Sequence, residues 1–336
     1  MRIARWASGV VAARGLATQN VARALVVSVV SYGMMRPASP PSRRYGGKIA
    51  DPSRWQSFEP RAGDVVVSTP PKSGTTWTQG ILALLMSGDP GVDAALSRKA
   101  PWLDVTSAEQ DALVAGLNTQ PGRRQVKTHT PLDGIPYWPD LRYITVFRHP
   151  IDVHFSFRNH VANMREPVLS DIFPPDPREG FAIFLEGDHR DGASLVSIVD
   201  HFHSAIARRQ APNHLSLHYA DMMRDLAWAV GHIADHLSII HPPAVMSDLI
   251  AAARFDNMKA NADRFALSAG EGFWRKDRGF FHSASSQKWR GILSEADMTA
   301  YRKRMSALLR PAEQRWLENG GGLLAEVFAG GDTQPS

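Results

Sequence analysis

Asp64-Val65-Val66-Val67-Ser68 is an unbroken run dominated by β-branched residues, the length and chemistry of a strand covered on both faces. It feeds a turn from Thr69 to Gly74 and then a helical stretch from Thr75 to Met86, which Gly88-Asp89-Pro90 stops. Gln125-Val126-Lys127-Thr128 and Tyr143-Ile144-Thr145-Val146-Phe147 read as further strands. The pattern predicts a helix from Ile151 to about Asn163, with Pro150 at its first turn, and another from Leu195 to Arg209, followed by a strand at Leu215–Tyr219. Asp225 to Leu237, Ala244 to Ala253 and Glu295 to Leu309 are also predicted helical, the last with Ser294 as its N-cap. Between these elements, Glu166 to Asp191 carries Pro167, Pro174, Pro175 and Pro177 and reads as a loop covering a pocket. Strands separated by helices predict one α/β domain, with a central parallel β-sheet flanked by helices on both faces.

Composition narrows the function classes. With 43% apolar and 21% charged residues in 336, the chain is long enough to bury a sizeable core and is not a disordered sequence. No apolar run approaches ~18 residues, so no spanning helix is expected. The absence of Cys excludes a disulfide framework, Cys-ligated metals and a thiol nucleophile. Residues 1–50 hold seven Arg and Lys48 with no Asp or Glu, so they carry +8 of a whole-chain charge of +5, and the other 286 residues sum to −3. A net acidic body argues against a nucleic-acid partner. Residues 1–48 are read as a basic, flexible extension, 49–330 as the folded domain beginning near Ile49, and 331–336 as a tail. An acid-free, Arg-bearing N-terminus also fits organellar targeting, an alternative to a cytoplasmic location.

The strongest local signal is Thr69-Pro70-Pro71-Lys72-Ser73-Gly74-Thr75-Thr76-Trp77, placed between a strand and a helix. Backbone N–H groups at a helix N-terminus, the helix dipole, hydroxyl donors and the Lys72 charge suit a phosphate or phosphosulfate. The loop is P-loop-like but is not a Walker A motif, because Lys72 precedes Gly74 and no Gly-Lys-Ser/Thr occurs in the chain. His232 and His236 have a metal-compatible i, i+4 spacing, but no third ligand accompanies them, and no metal is expected.

These residues resemble the cytosolic-type sulfotransferases, whose donor is 3′-phosphoadenosine 5′-phosphosulfate (PAPS). Pro71-Lys72-Ser73-Gly74-Thr75-Thr76-Trp77 looks like the family's 5′-phosphosulfate loop. Arg148-His149-Pro150-Ile151-Asp152-Val153-His154-Phe155-Ser156 is similar to its 3′-phosphate segment, and Arg148 and Ser156 keep the family's spacing. Lys127-Thr128-His129-Thr130-Pro131 resembles the segment that carries the catalytic His. His218-Tyr219-Ala220-Asp221-Met222 resembles a segment whose Tyr lies beside the adenine. The family's C-terminal Arg-Lys-Gly triplet falls on His282-Ser283-Ala284, which lacks most of its charge, with Arg275-Lys276 as nearby substitutes.

The resemblance implies sulfuryl transfer from PAPS to a hydroxyl, with His129 as general base and Lys72 and Lys127 as charge stabilisers. It also suggests that Ser73 restrains Lys72. Pro101-Trp102-Leu103-Asp104 looks like a family segment whose aromatic forms the acceptor wall, and Phe157 is placed to line the same cavity. Such a wall favours phenols, sterols or lipids, although Trp102 fits a core position equally well. A Mg²⁺-ATP small-molecule kinase and a degenerate nucleotide binder are the alternatives. The sequence leaves the assembly state open.

Overall fold

A computed structural model describes residues 35–165, 171–188, 193–261, 265 and 289–329. All of these belong to the compact unit Met34–Ser336. His282-Ser283-Ala284, Arg275-Lys276, the 331–336 tail and the first 34 residues of the basic segment lie outside the described residues.

Among the described residues, four parallel strands form one sheet: β1 (Val65–Ser68), β2 (Gln125–Thr128), β3 (Arg142–Phe147) and β4 (His214–His218), in the order β2-β1-β3-β4. Register pairs Val65 with both Gln125 and Arg142, and Thr145 with Ser216. Because side chains alternate along a strand, the sheet feeds two cores. Val65, Val67, Ile144, Val146, Leu215 and Leu217 share one. Val66, Val126 and Tyr143 face the opposite side, with Trp55 and Trp138. Phe147, at the end of β3, joins a third cluster with Phe202 and Trp316. The continuous apolar runs are therefore those of strands buried on both faces, an α/β fold.

The helices follow in chain order: α1 (Thr75–Ser87), α2 (Leu96–Lys99), α3 (Gln110–Asn118), α4 (Pro150–Ala162), α5 (Pro177–Glu186), α6 (Leu195–Ala207) and α7 (Tyr219–Arg224). Then come α8 (Leu226–His236), α9 (Pro243–Ala252), α10 (Phe255–Ala260), α11 (Glu295–Leu308), α12 (Pro311–Asn319) and α13 (Leu324–Val327). Their ends obey local chemistry. Gly88 closes α1 in the left-handed region at φ 69°, Pro150 opens α4, and Ser294 and Asp297 form a reciprocal capping box on α11.

Three sequence expectations differ from the structure. Tyr219 does not end β4 but begins α7, because His218 Nδ1 accepts the Ala220 N–H at 3.2 Å and caps the turn. The segment expected to be all loop contains α5. Its Pro177 is a helix-starting residue behind the Asp176 cap, and Phe181, Phe184 and Leu185 recur at helical spacing on its buried face. Finally, the ordered body starts well before Ile49. The Ala38 N–H donates to Tyr137 O at 2.8 Å, the Ser42 N–H to Asp133 O at 2.9 Å, and Trp138 Nε1 to Met35 O at 3.2 Å.

Candidate active site

The chain leaves β1 for β2 on one side and later returns to β3 on the other, so β1 lies at a topological switch point, where open α/β sheets bind ligands beyond their strand ends. The predicted residues converge on that edge. Lys72, Ser73, Gly74, Thr75 and Thr76 follow β1, His129 follows β2, Arg148 follows β3 and Tyr219 follows β4. Ser156 is two turns into α4.

The loop is held tightly. The Ser73 N–H donates to Pro70 O at 3.3 Å, the Thr69 and Thr75 hydroxyls meet at 2.6 Å, and Lys72 adopts a left-handed φ of 65°. Gly74 sits at φ 115°, and a Cβ there would lie 3.1 Å from Tyr219 Cδ2. Glycine thus serves both the turn and the approach of the Tyr219 ring. Arg148 stacks its guanidinium 4.5 Å from the centroid of that ring and directs Nη1 to Lys72 O at 3.4 Å. Trp77 is an anchor beneath the loop rather than an open surface. It is buried, its Nε1–H donates to Ala253 O at 2.8 Å, and its ring meets Tyr219 edge-on.

The electrostatics are those of an anion site. Burial, Arg148 and Lys127 lower the Lys72 pKa from 10.5 to about 7. Burial brings Lys127 to about 8, opposed by the Asp104 carboxylate. The Ser73 hydroxyl is fully buried, and its Oγ has no hydrogen-bond partner among the described residues. The expected restraint of Lys72 by Ser73 is therefore absent; Lys72 Nζ instead lies 3.1 Å from His160 Nδ1. An anionic group entering the loop would lower the cost of gathering these cations and supply an acceptor for the hydroxyl.

His129 Nδ1 lies 2.8 Å from Thr69 O. A carbonyl only accepts, so Nδ1 carries the proton and Nε2 keeps its lone pair. Burial, reinforced by Lys127, His201 and Lys72, lowers its pKa to about 3, so the ring is neutral. His201 supports the segment by donating from Nε2 to His129 O at 3.0 Å.

Trp102 sits edge-to-face over His129 with ring centroids 4.7 Å apart, and Lys127 Nζ lies 5.2 Å from the indole centroid. A pocket opens beside them, lined in part by Tyr45, Ile49, Ala50, Trp102, His129 and Thr130. Phe157 is not in this lining. It is packed with Val161, Ile172 and Phe173, in a cluster that Ile49, a residue of the lining, also contacts.

Two residues of the site escape motif reasoning. Asp104, fully buried, accepts from Trp102 Nε1 at 2.7 Å, Thr128 Oγ1 at 2.6 Å, Thr130 Oγ1 at 2.7 Å and Trp55 Nε1 at 3.2 Å. His160 follows Ser156 by four residues on α4, a helical spacing that would have pointed to a shared face. Segment 45–50 also enters the site, from a region with no periodic signal.

Comparison with known proteins gives a consistent answer. Residues 62–312 match the family model described as a sulfotransferase domain. A glycolipid sulfotransferase of Mycobacterium bovis is 33% identical over 307 residues, covering 82% of this chain and 94% of its own. The rat sulfotransferase 1 family member D1 is 30% identical over 62% of this chain and 70% of its own length. Among solved structures, a mouse sulfotransferase complexed with PAP superposes with a TM-score of 0.63 at 19% identity, covering 79% of this chain and 91% of that one, a likeness of fold.

Proposed function

The chain belongs to the sulfotransferase family, and from that premise we propose that it moves a sulfuryl group from PAPS to a hydroxyl of a lipid-like acceptor. The observation that carries the donor assignment is the loop itself. Lys72 lies within electrostatic reach of Lys127 and Arg148 at the carboxyl edge of the sheet, next in the chain to a buried Ser73 hydroxyl that has no hydrogen-bond partner among the described residues. PAPS would supply an activated sulfuryl group with a bisphosphate leaving group. The loop N–H groups with Ser73, Thr75 and Thr76 would hold its 5′ end. Arg148, a planar fork, and Ser156 would hold the 3′-phosphate, and the Tyr219 ring would flank the base. Among the described residues, Arg148 is the charged residue assigned to the 3′-phosphate.

The protein's own groups then act by position and charge. Lys72 and Lys127 stabilise negative charge that grows on the transferring group and the bridging oxygen. His129 Nε2, unprotonated because Nδ1 is committed to Thr69 O, takes the acceptor's proton as its oxygen attacks. Neutralisation of the neighbouring lysine charges by a bound anion raises the basicity of that nitrogen, because those charges are among the causes that depress it. The acceptor enters through the pocket beside Trp102 and Ile49, whose aromatic and aliphatic walls suit an apolar body that carries a reactive hydroxyl. The glycolipid named for the mycobacterial relative is the same kind of molecule. Among the described residues no helix is long and apolar enough to cross a membrane.

Thermal unfolding with 3′-phosphoadenosine 5′-phosphate tests the donor assignment. A ligand at 100 times its dissociation constant stabilises by about 2.7 kcal/mol. The expected result is a Mg²⁺-independent rise in Tm that is lost in Arg148→Ala. A rise seen only with ATP and Mg²⁺ would replace the sulfuryl donor with a phosphoryl donor.

A further inference from the structure

The motifs of the loop and of the 3′-phosphate segment assign no role to His160, yet it reaches the centre of the site. Its Nδ1 lies 3.1 Å from Lys72 Nζ, across the gap between α4 and the loop after β1. The groups that face Lys72 come from three directions: Arg148 from the end of β3, Lys127 and His129 from β2 and the residue after it, and His160 from α4. Asp104 acts on Lys127 from beyond it. Every cation in this set works against a charged Lys72. An imidazole lone pair works for it, because an ammonium has only donors and needs acceptors when it leaves water. His160 is half-buried, and desolvation together with the neighbouring Lys72, Lys127 and His129 keeps its pKa well below 6.5 and its ring neutral. At neutral pH the ring therefore has one nitrogen free of a proton, and the ammonium is the better donor of the pair.

We propose that His160 is a positioning residue of this site: its Nδ1 lone pair accepts a hydrogen bond from the Lys72 ammonium, keeping that ammonium charged and aimed into the anion loop. The backbone of Lys72, left-handed at φ 65°, fixes where the side chain starts, and His160 fixes where it ends. The inference rests on the sulfotransferase reading only for what the aimed charge is used for; the Lys72–His160 bond stands or falls by itself.

The test uses three forms of the full-length chain, wild type, His160→Phe and His160→Asn, the last because the Asn amide oxygen can replace the Nδ1 acceptor. The first readout needs no donor. The pH dependence of Lys72 acylation by trace acetic anhydride, read on its peptide by mass spectrometry, gives the titration midpoint of the amine. His160→Phe is expected to lower that midpoint by about one pH unit, the scale of a lost hydrogen bond to a charged group, and His160→Asn to restore most of it. The second readout is turnover with PAPS. His160→Phe should lower kcat about tenfold, with the alkaline limb moved to lower pH, while the Tm of both variants stays within a few degrees of wild type. An unchanged or raised Lys72 midpoint in His160→Phe would overturn the proposal, since a neutral Lys72 accepting from an Nδ1–H would titrate higher once that donor is gone. Equal loss of activity in both variants without movement of the midpoint would reduce His160 to a packing residue and also overturn it. If no form binds the bisphosphate but the midpoint follows the substitutions, the Lys72–His160 bond is supported and the donor assignment is what fails.

Discussion

Removing the Asp104 carboxylate should unfasten the acceptor side of the site and much of the fold's stability with it. The side chain is fully buried and collects hydrogen bonds from Trp55, Trp102, Thr128 and Thr130 at 2.6–3.2 Å. In Asp104→Ala those donors lose their acceptor. Trp55, Thr128 and Thr130 are buried too deeply for water to replace it, while Trp102 is half-exposed and can be resolvated. A stranded buried donor costs about 1–3 kcal/mol, so three give a loss of at least about 3 kcal/mol, set against a typical domain stability of about 5–15 kcal/mol. Lys127 loses the one group that raises its depressed pKa, so its charge is lost at lower pH. Urea unfolding followed by tryptophan fluorescence measures the first effect. Asp104→Asn, which keeps one acceptor oxygen, should fall between Ala and wild type. A loss below about 1 kcal/mol in Asp104→Ala would refute the reasoning, because it would mean that the donors find other partners at no cost.

Acid should unfold the chain through its histidines. His154, His201, His214 and His218 are all buried, and burial is the first cause lowering their pKa values, to about 3 for the first two and about 4 for the others. The unfolded chain binds these protons at about 6.5, so stability is intact above that pH and declines as pH falls, by about 2 kcal/mol per histidine at pH 5. A circular-dichroism titration should show unfolding at about pH 5, and a native spectrum retained at pH 4 would contradict the burial argument. Gly74→Ala forces a Cβ to within 3.1 Å of the Tyr219 ring at a φ of 115°. A strained residue costs about 1–3 kcal/mol, so bisphosphate affinity measured by calorimetry should drop about tenfold or more.

How much of this was legible in the sequence follows from how local each signal is. The strands announce themselves because both their faces are buried, which makes Val65-Val66-Val67 an unbroken apolar run. The loop motif places Lys72 and Gly74 because a strand–turn–helix junction is local chemistry. The start of α5 is ambiguous in the sequence because Pro177 marks a loop and a helix start equally well, and only the buried phenylalanines decide between them. Tyr219 was displaced by a cap, His218, that reads simply as one more strand residue. Asp104 depends on a contact across 24 residues to Thr128, which no local pattern encodes, and for His160 the four-residue spacing from Ser156 marks a shared helix face but not the contact across 88 residues to Lys72. Adjacency to Ser156 does not by itself bring Phe157 to the pocket beside Trp102, because successive helical residues point about 100° apart.

The central claim is chemical, and one measurement addresses it directly. The purified chain is incubated with PAPS radiolabelled in its sulfuryl group, together with a panel of lipid and phenolic alcohols that includes glycolipids. Label moving into an organic-extractable product, without added metal, is the predicted result. Its rate should fall about 10²- to 10⁴-fold in His129→Ala at saturating acceptor, the contribution typical of a general base. Transfer that proceeds at the wild-type rate in His129→Ala, or a protein that binds the bisphosphate but labels no hydroxyl in the panel, would contradict the account.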